Sequence, residues 1–421
     1  MNILLIAYYY PPMKSGGMLR PIQMARILRE EGHDVVVLTH TYEKNGELRG
    51  GSDTLRVYDP SHNKNRNGAR RFHWLALRVL VEALNRLGVG ISIYSWWKRR
   101  VLKHGRKIVA MVKPDVIVAT YPPAEILEIG LGLSRMSNAP LVSDFRDGLM
   151  FEPIERIRIN KYPCVKRSYQ RLEEQAAAHS AAIVTIADPI TEYFNRQYQF
   201  QKAVTLSSGF DPEDFNNTPA PVALDASRFN ILFTGRFGLS CNYNQVEFFF
   251  DAVRAIAKGE PELGEKLCVH LLGEYSKDEL KQLSDLLAAG LVKHHGFVPR
   301  EVSLASQLAA DLLLIISPPD RKSATSTKIF EYLFSGRPIL ALTHQTVIEQ
   351  MVQETRSGWV VHPHHTDEIK ALLRRILTDR QFYNTIKPSR EAVNKYSTRR
   401  QMKALEQLLK GIIASDLTDR Q

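Results

Sequence analysis

The sequence predicts an α/β protein of two domains, each a doubly wound parallel sheet, facing one another across a cleft. Three observations carry this. Short, unbroken apolar runs, such as residues 3–7 and 312–316, alternate with amphipathic helical stretches, which is the pattern of parallel strands covered on both faces. The alternation stops once, in the Pro-, Asp- and Asn-rich stretch "DPEDFNNTPAPVALDASRF", and then restarts. A chain of 421 residues is long enough to bury two such cores.

In the first domain (1–210) strands are predicted at 3–7, 35–38, 55–58, 116–119, 141–143, 183–186 and 204–206. A helix over 21–29 opens on Pro21, suited to a first turn, and stops at Gly32. The aperiodic stretch reads as a linker over 211–228. The second domain (229–395) has strands predicted at 231–233, 269–272, 312–316, 339–342 and 359–361. Met402, Leu405, Leu408, Leu409 and Ile412 have helical spacing, so 396–421 reads as a C-terminal helix that packs on one domain or crosses back to the first. Ligands in open α/β sheets bind at the carboxyl ends of strands, so the residues just after each strand are the candidates for function.

Composition narrows the classes. No apolar stretch approaches the roughly 18 residues of a membrane span, and the start of the chain lacks the basic region of a signal peptide. The three cysteines, Cys164, Cys241 and Cys268, are far apart, which fits a reducing cytoplasm without a disulfide framework. The net charge of +11 is uneven: from Arg66 to Lys107 there are eleven Lys/Arg and one acid, Glu82. A local basic patch asks for a local anionic partner. Within it "SIYSWWKRRVLKHGRK" sets Trp96 and Trp97 beside Lys98, Arg99, Arg100 and Lys103, a mixture suited to an anionic membrane surface or, equally, to a solvated basic helix with tryptophan in the core.

Several chemistries are excluded by what is missing. There is no G-x-G-x-x-G, and the second strand ends in Thr39-His40 rather than an acid, which argues against a nicotinamide dinucleotide. There is no P-loop, no H-E-x-x-H, no G-x-S-x-G and no Asp-x-Asp to hold a metal on a sugar diphosphate. The "HPHH" at 362–365 lacks cysteine and helical spacing and reads as a solvated loop before a metal site. No stacking platform for nucleic acid is visible, so no nucleic-acid partner is expected.

Four places after strands point the same way. "SGG" at 15–17 lies between the first strand and the first helix, where Gly16 and Gly17 let main-chain N–H groups approach an anion; a plain flexible turn would look the same. "LFTGRFG" puts Arg236 after a strand, where a guanidinium fork suits a diphosphate, although a surface arginine paired with an acid is the commoner case. "SATSTKIFEYLFSGRPILAL" offers Ser326, Thr327 and Lys328 at a helix start, an anion site, with Glu331 one turn on. A glutamate there accepts two hydrogen bonds from a ribose diol; otherwise it is half of a surface ion pair with Lys328. "SDFRD" ends a strand with Asp144, Arg146 and Asp147, fit for substrate hydroxyls or proton transfer, or for a structural network. Together they describe a nucleotide diphosphate held mostly by the second domain.

With "ILLIAYYYPPMKSGGMLRPIQMARILREEGHDVVVLT", "SDFRD", "LSSGFDPEDF", "ILFTGRFG", "HLLGEYS", "HHGFVPREV" and "TKIFEYLFSGRPILAL", nearly the whole chain resembles the retaining glycosyltransferases of the GT-B architecture, in the large group 1 (GT4-like) set. The resemblance implies two facing Rossmann-like domains. It implies that Glu331 binds the nucleotide ribose, Arg236 holds the diphosphate, Gly16 and Gly17 close on the phosphates, and Gly273, Phe297 and Val298 line the pocket for base and ribose. It implies reaction on one face of the sugar, with the leaving phosphate taking the acceptor's proton, so that neither a protein nucleophile nor a divalent metal nor any other cofactor is needed. Arg146 and Asp147 would stand near the acceptor or donor sugar. The acceptor is expected to be a glycan or lipid-linked, at the inner leaflet, in surface polysaccharide synthesis. Three departures stand out. Ser323 replaces a glutamate common eight residues before Glu331, "LSCNYNQ" lacks the lysine common after the Gly-Arg turn, and a histidine usual near "DFRD" is missing. A nucleotide-sugar epimerase on the same fold and a non-catalytic anion-binding protein are the alternatives.

Overall fold

The computed structural model describes residues 1–13, 16–43, 48–51, 53–59, 69–199, 202–237 and 243–419. It divides into two compact units, Met1–Ser207 together with Met402–Gln421, and Ser208–Gln401.

The first unit is built on an eight-stranded sheet. Its strands are β1 (Asn2–Ile6), β2 (Asp34–Thr41), β3 (Leu48–Gly50), β4 (Thr54–Tyr58), β5 (Val116–Tyr121), β6 (Leu141–Phe145), β7 (Ala182–Thr185) and β8 (Ala203–Thr205). They lie in the order β3-β4-β2-β1-β5-β6-β7-β8, and every pair is parallel except β3 with β4. β5, β6 and β7 are buried at every residue, as their apolar runs require once helices cover both faces. The helices are α1 (Leu19–Glu30), α2 (Ala69–Arg86), α3 (Ser95–Lys103), α4 (Gly105–Val112), α5 (Glu125–Ser137), α6 (Arg156–Lys161), α7 (Pro163–His179) and α8 (Asp188–Gln197). Because β1 is flanked by β2 on one side and β5 on the other, the chain reverses its winding between β1 and β5. The carboxyl ends of those two strands therefore open at a topological switch point.

The second unit carries β9 (Phe229–Thr234), β10 (Leu267–Leu272), β11 (Val292–His294), β12 (Leu312–Ile316), β13 (Ile339–Leu342) and β14 (Gly358–Val361), all parallel, in the order β11-β10-β9-β12-β13-β14. Here the switch lies between β9 and β12. Ile231, Phe233, Val269, Leu271, Leu312 and Leu314 form the centre of its core.

Two segments behave differently from a naive reading of their composition. Residues 211–228 are not a free tether. Asp211 caps a short turn at Pro212–Phe215, Phe215 packs 4.4 Å from the ring of Phe334, and the Val222 N–H donates to Ser306 Oγ at 3.0 Å. Their Asp and Ser side chains bond the main chain locally, which replaces secondary structure. The final helix, Thr398–Asp419, puts Met402, Leu405 and Leu409 into the core of the first unit, and Glu406 accepts from or pairs with His33 at 2.8 Å.

Candidate active site

In the second unit the site grows from the helix Thr327–Ser335. Ser326 enters it in extended backbone, and Gly336, at φ 70°, ends it in the left-handed conformation that a glycine tolerates. Pro338 and β13 follow at once, which accounts for the abrupt change from helix to strand. Ile329, Phe330, Tyr332 and Leu333 are buried, so Lys328 and Glu331, three residues apart, share the remaining face. The Tyr332 hydroxyl accepts the Thr234 main-chain N–H at 3.1 Å and meets Thr234 Oγ1 at 3.0 Å. This clamps the second half of the helix beside the end of β9, at the switch point.

Around that clamp the main chain is crowded. Gly235 follows β9 at φ 98°, and a Cβ on it would lie 2.9 Å from Lys328 Nζ and Cε. The positive φ favours glycine at this position, and the lysine end lies against it. The Lys328 ammonium stands 4.5 Å over the Phe233 ring. Gly273 follows β10, and its Cβ would fall 2.3 Å from the Gly235 carbonyl oxygen. Gly235 N–H donates to Leu272 O at 2.7 Å, the Tyr275 hydroxyl donates to Gly235 O at 2.8 Å, and His294 Nε2–H donates to Gly273 O at 2.9 Å. Three strand ends are thereby tied together. Arg236 is exposed at this edge, Phe297 is exposed after β11, and Val298 is half-buried.

Glu331 is only 13% exposed, and its carboxylate is held by its neighbours. Oε1 accepts from Arg300 Nη2 at 3.0 Å and Oε2 from Gln307 Nε2 at 3.2 Å, while Arg300 also pairs with Asp214 at 2.8 Å. The ion pair that the sequence reading allowed for Glu331 is therefore made with Arg300 and not with Lys328. Ser323 is buried. Tyr332, Arg300 and Gln307 were not anticipated. "VPREV" was noted, but nothing in it marks Arg300 as the partner of Glu331. Most of "LSCNYNQ" (residues 239–242 of 239–245) lies outside the described residues.

The first unit brings together another set. Asp144, fully enclosed in β6, accepts from Arg20 Nη2 at 2.7 Å, from Arg20 Nε at 3.1 Å and from Thr120 Oγ1 at 2.6 Å. It is the structural network that the sequence reading allowed as an alternative, and Arg20 is its unforeseen half. The expected task of Arg146 needs correction. Its Nε donates to Tyr121 O at 3.1 Å, Nη2 to Pro122 O at 2.9 Å, and Nη1 to Gly17 O. The guanidinium is buried and spent on three main-chain carbonyls, so it positions the loops after β1 and β5. Gly16 and Gly17 lie in the 3-10 turn Gly16–Met18 that precedes α1. Ser15 lies outside the described residues. Asp147 is half-buried beside Arg146.

Trp97 is buried, 5.0 Å from Tyr8 in an edge-to-face contact, so it is core and not an outward anchor. α2 does expose Leu75, Val79 and Leu80, followed after the helix by Leu87 and Val89. Residues 66–68 of the basic segment lie outside the described residues. The His362 and His365 rings stack at 4.3 Å, and among the described residues no group of three His, Cys, Asp or Glu is placed to hold a metal. Among the described residues no helix is long and apolar enough to cross a membrane.

Comparison with known families agrees with this architecture. Residues 20–207 match the glycosyl transferase 4-like domain, and residues 228–379 match the glycosyl transferases group 1 domain. The chain belongs to the group 1 glycosyltransferases. No curated protein sequence matches it significantly. Solved structures share the GT-B fold of this glycosyltransferase. Sucrose-phosphate synthase from Thermosynechococcus elongatus superposes with a TM-score of 0.66 at 14% identity, over 98% of this chain and 99% of that one. Anabaena HepE, in complex with UDP and glucose, gives 0.59 at 15% identity over 97% and 99%. An E. coli structure described as trehalose-6-phosphate bound with UDP-2-fluoro glucose gives 0.65 at 15% identity over 97% and 98%.

Proposed function

We propose that this glycosyltransferase is a retaining, metal-independent enzyme that moves a sugar from a nucleotide-sugar to a glycan or lipid-linked acceptor in surface polysaccharide synthesis. The observation that carries the donor half is the convergence of Lys328, Arg236, the start of the helix Thr327–Ser335 and the glycine pair Gly235–Gly273 at the carboxyl ends of β9, β10 and β12. The glycines let the ends of β9 and β10 pass close to each other and to Lys328. The two cations and the N–H groups of Ser326, Thr327 and Lys328 neutralise it as it departs, which is the largest catalytic contribution available here. Glu331, already oriented by Arg300 and Gln307, accepts from the ribose hydroxyls, and Gly273, Phe297 and Val298 stand beside the base.

Retention follows if the acceptor hydroxyl attacks from the leaving-group face and gives its proton to the departing phosphate oxygen; the C–O bond to phosphate breaks as the new one forms. In the first unit, the Gly16–Gly17 turn and Asp147 are the groups that suit phosphate and sugar hydroxyls. The solved relatives that hold UDP or a UDP-sugar make uridine donors the first to try. The exposed leucines and valines of α2, interleaved with Arg78 and Arg86, suit peripheral contact with an anionic inner leaflet in the cytoplasm.

The test is a panel of nucleotide-sugars with wild-type enzyme and Arg236→Ala. Sugar transfer or donor hydrolysis that disappears in the variant supports the reading. Release of an epimerised sugar nucleotide without acceptor would replace it with the epimerase alternative.

A further inference from the structure

We infer that the first unit contains a second ligand site, a cavity between α3, α5 and α7 that takes a phosphate ester carrying free hydroxyls. The cavity measures about 560 Å3, the size range of sites for small molecules. Its walls carry four cationic side chains, Lys98, Arg99, Arg167 and Arg171, against two carboxylates, Glu125 and Glu128. Lys98 is paired with Glu128. Arg99, Arg167 and Arg171 are exposed and form no ion pair among the described residues. Exposed arginines alone would make an ordinary solvated face.

Glu125 is what distinguishes this place. It opens α5 and is 4% exposed; Ser92 Oγ donates to its Oε1, and its Oε2 is enclosed with no hydrogen-bond partner. A buried acceptor left unpaired is costly, so the cavity lacks a donor. Burial also pushes the Glu125 carboxyl up to about 7. A metal cation would satisfy Glu125 but would face three free guanidinium groups. A bare anion would satisfy the arginines and leave Glu125 unmet. One molecule meets both requirements when a phosphate engages the arginine forks and a hydroxyl at its other end reaches Glu125. The site lies wholly in the first unit, so it does not depend on the donor assignment in the second.

The experiment is calorimetric titration of the full chain, with UDP saturating, by glucose 1-phosphate and separately by dihexanoyl phosphatidylinositol, which distinguishes a free phosphate ester from a lipid headgroup. Binding of either is expected, with loss of at least tenfold in affinity in the Arg167→Ala/Arg171→Ala double variant. UDP affinity, measured on its own, should stay unchanged in that variant. Glu125→Gln should weaken the hydroxylated ester several-fold and leave inorganic phosphate unaffected, which a purely electrostatic patch would not do. Absence of millimolar or tighter binding by both esters overturns the assignment, as does equal binding by the folded double variant. Failure of UDP to bind at all would sink the donor reading and leave this one standing.

Discussion

Tyr332→Phe removes one oxygen from the point where the donor helix meets β9. In the native structure that oxygen accepts the Thr234 N–H at 3.1 Å and bonds Thr234 Oγ1 at 3.0 Å, with Tyr332 fully enclosed and Thr234 5% exposed. Phenylalanine fills the same space, so no cavity forms, but a buried main-chain N–H is orphaned at a cost of about 1–3 kcal/mol. For a unit of this size that corresponds to a fall of roughly 2–12 °C in the melting temperature of the second unit. The second effect is functional. Lys328 and Glu331 precede Tyr332 in the same helix, and Gly235 is the next residue after Thr234, so slackness at the clamp displaces the cation and the carboxylate relative to the main chain. A misplacement of about 1 Å costs on the order of a hundredfold in rate when binding groups must be aligned. Calorimetry and donor kinetics should therefore move together. An unchanged melting temperature with unchanged KM and kcat would show that the hydroxyl does not fix the helix and would refute the geometry argued for this site.

Other perturbations test separate parts. Lys328→Met keeps the stem and removes the charge; kcat should fall by about two to three orders of magnitude, measured with saturating donor, because only the departing diphosphate feels the full loss. Gly273→Ala would drive a Cβ to within 2.3 Å of Gly235 O and should abolish donor binding in a titration with UDP even where circular dichroism shows a folded chain. Activity should survive prolonged EDTA treatment; loss restored by a divalent cation would overturn metal independence. Burial, with His295 and Lys293 nearby, pushes His270 down to about 4. The folded chain therefore binds its proton more weakly than the unfolded chain, whose histidine titrates near about 6.5. Stability is present above that pH and is lost as pH falls from about 6.5 to about 4, by up to ~3 kcal/mol. His270→Asn should flatten this limb in acid denaturation.

Much of the fold was legible because parallel strands buried on both faces read as unbroken apolar runs. β3 and β11 were missed for the same reason in reverse. Both are short edge strands; "LRG" and "VKH" each hold one apolar residue, because one side of each strand has no neighbour to pack against. β6 was predicted to stop at residue 143, since Asp144 looks like a strand terminator. In the structure it continues through Phe145, because Arg20 and Thr120 supply the hydrogen bonds that make a carboxylate tolerable inside a sheet. At Trp97 the structure takes one of the two readings that the sequence left equal. Its sequence neighbours are basic, but helical spacing puts it on the inner face of α3 with Val101.

For the site, sequence exposed the groups that reach outward and concealed the ones that aim them. Arg236, Lys328 and Glu331 were selected because they follow a glycine or open a helix just after a strand, where a surface ion pair would look the same. Arg146 was selected by the same logic and went elsewhere. A guanidinium with five donors satisfies strand-end carbonyls as readily as phosphate oxygens, and no spacing rule separates the two uses. The difference is burial: Arg146 is enclosed between the loops after β1 and β5, and Arg236 is exposed at the end of β9. That contrast also says how a substitution series should divide. Arg146→Lys should lower stability and raise the donor KM together, because it releases the Gly17 and Pro122 carbonyls; Arg236→Lys should leave the melting temperature alone and act on transfer only. If the two variants behaved alike, exposure would not be the property that sorts a phosphate ligand from a scaffold arginine in this chain.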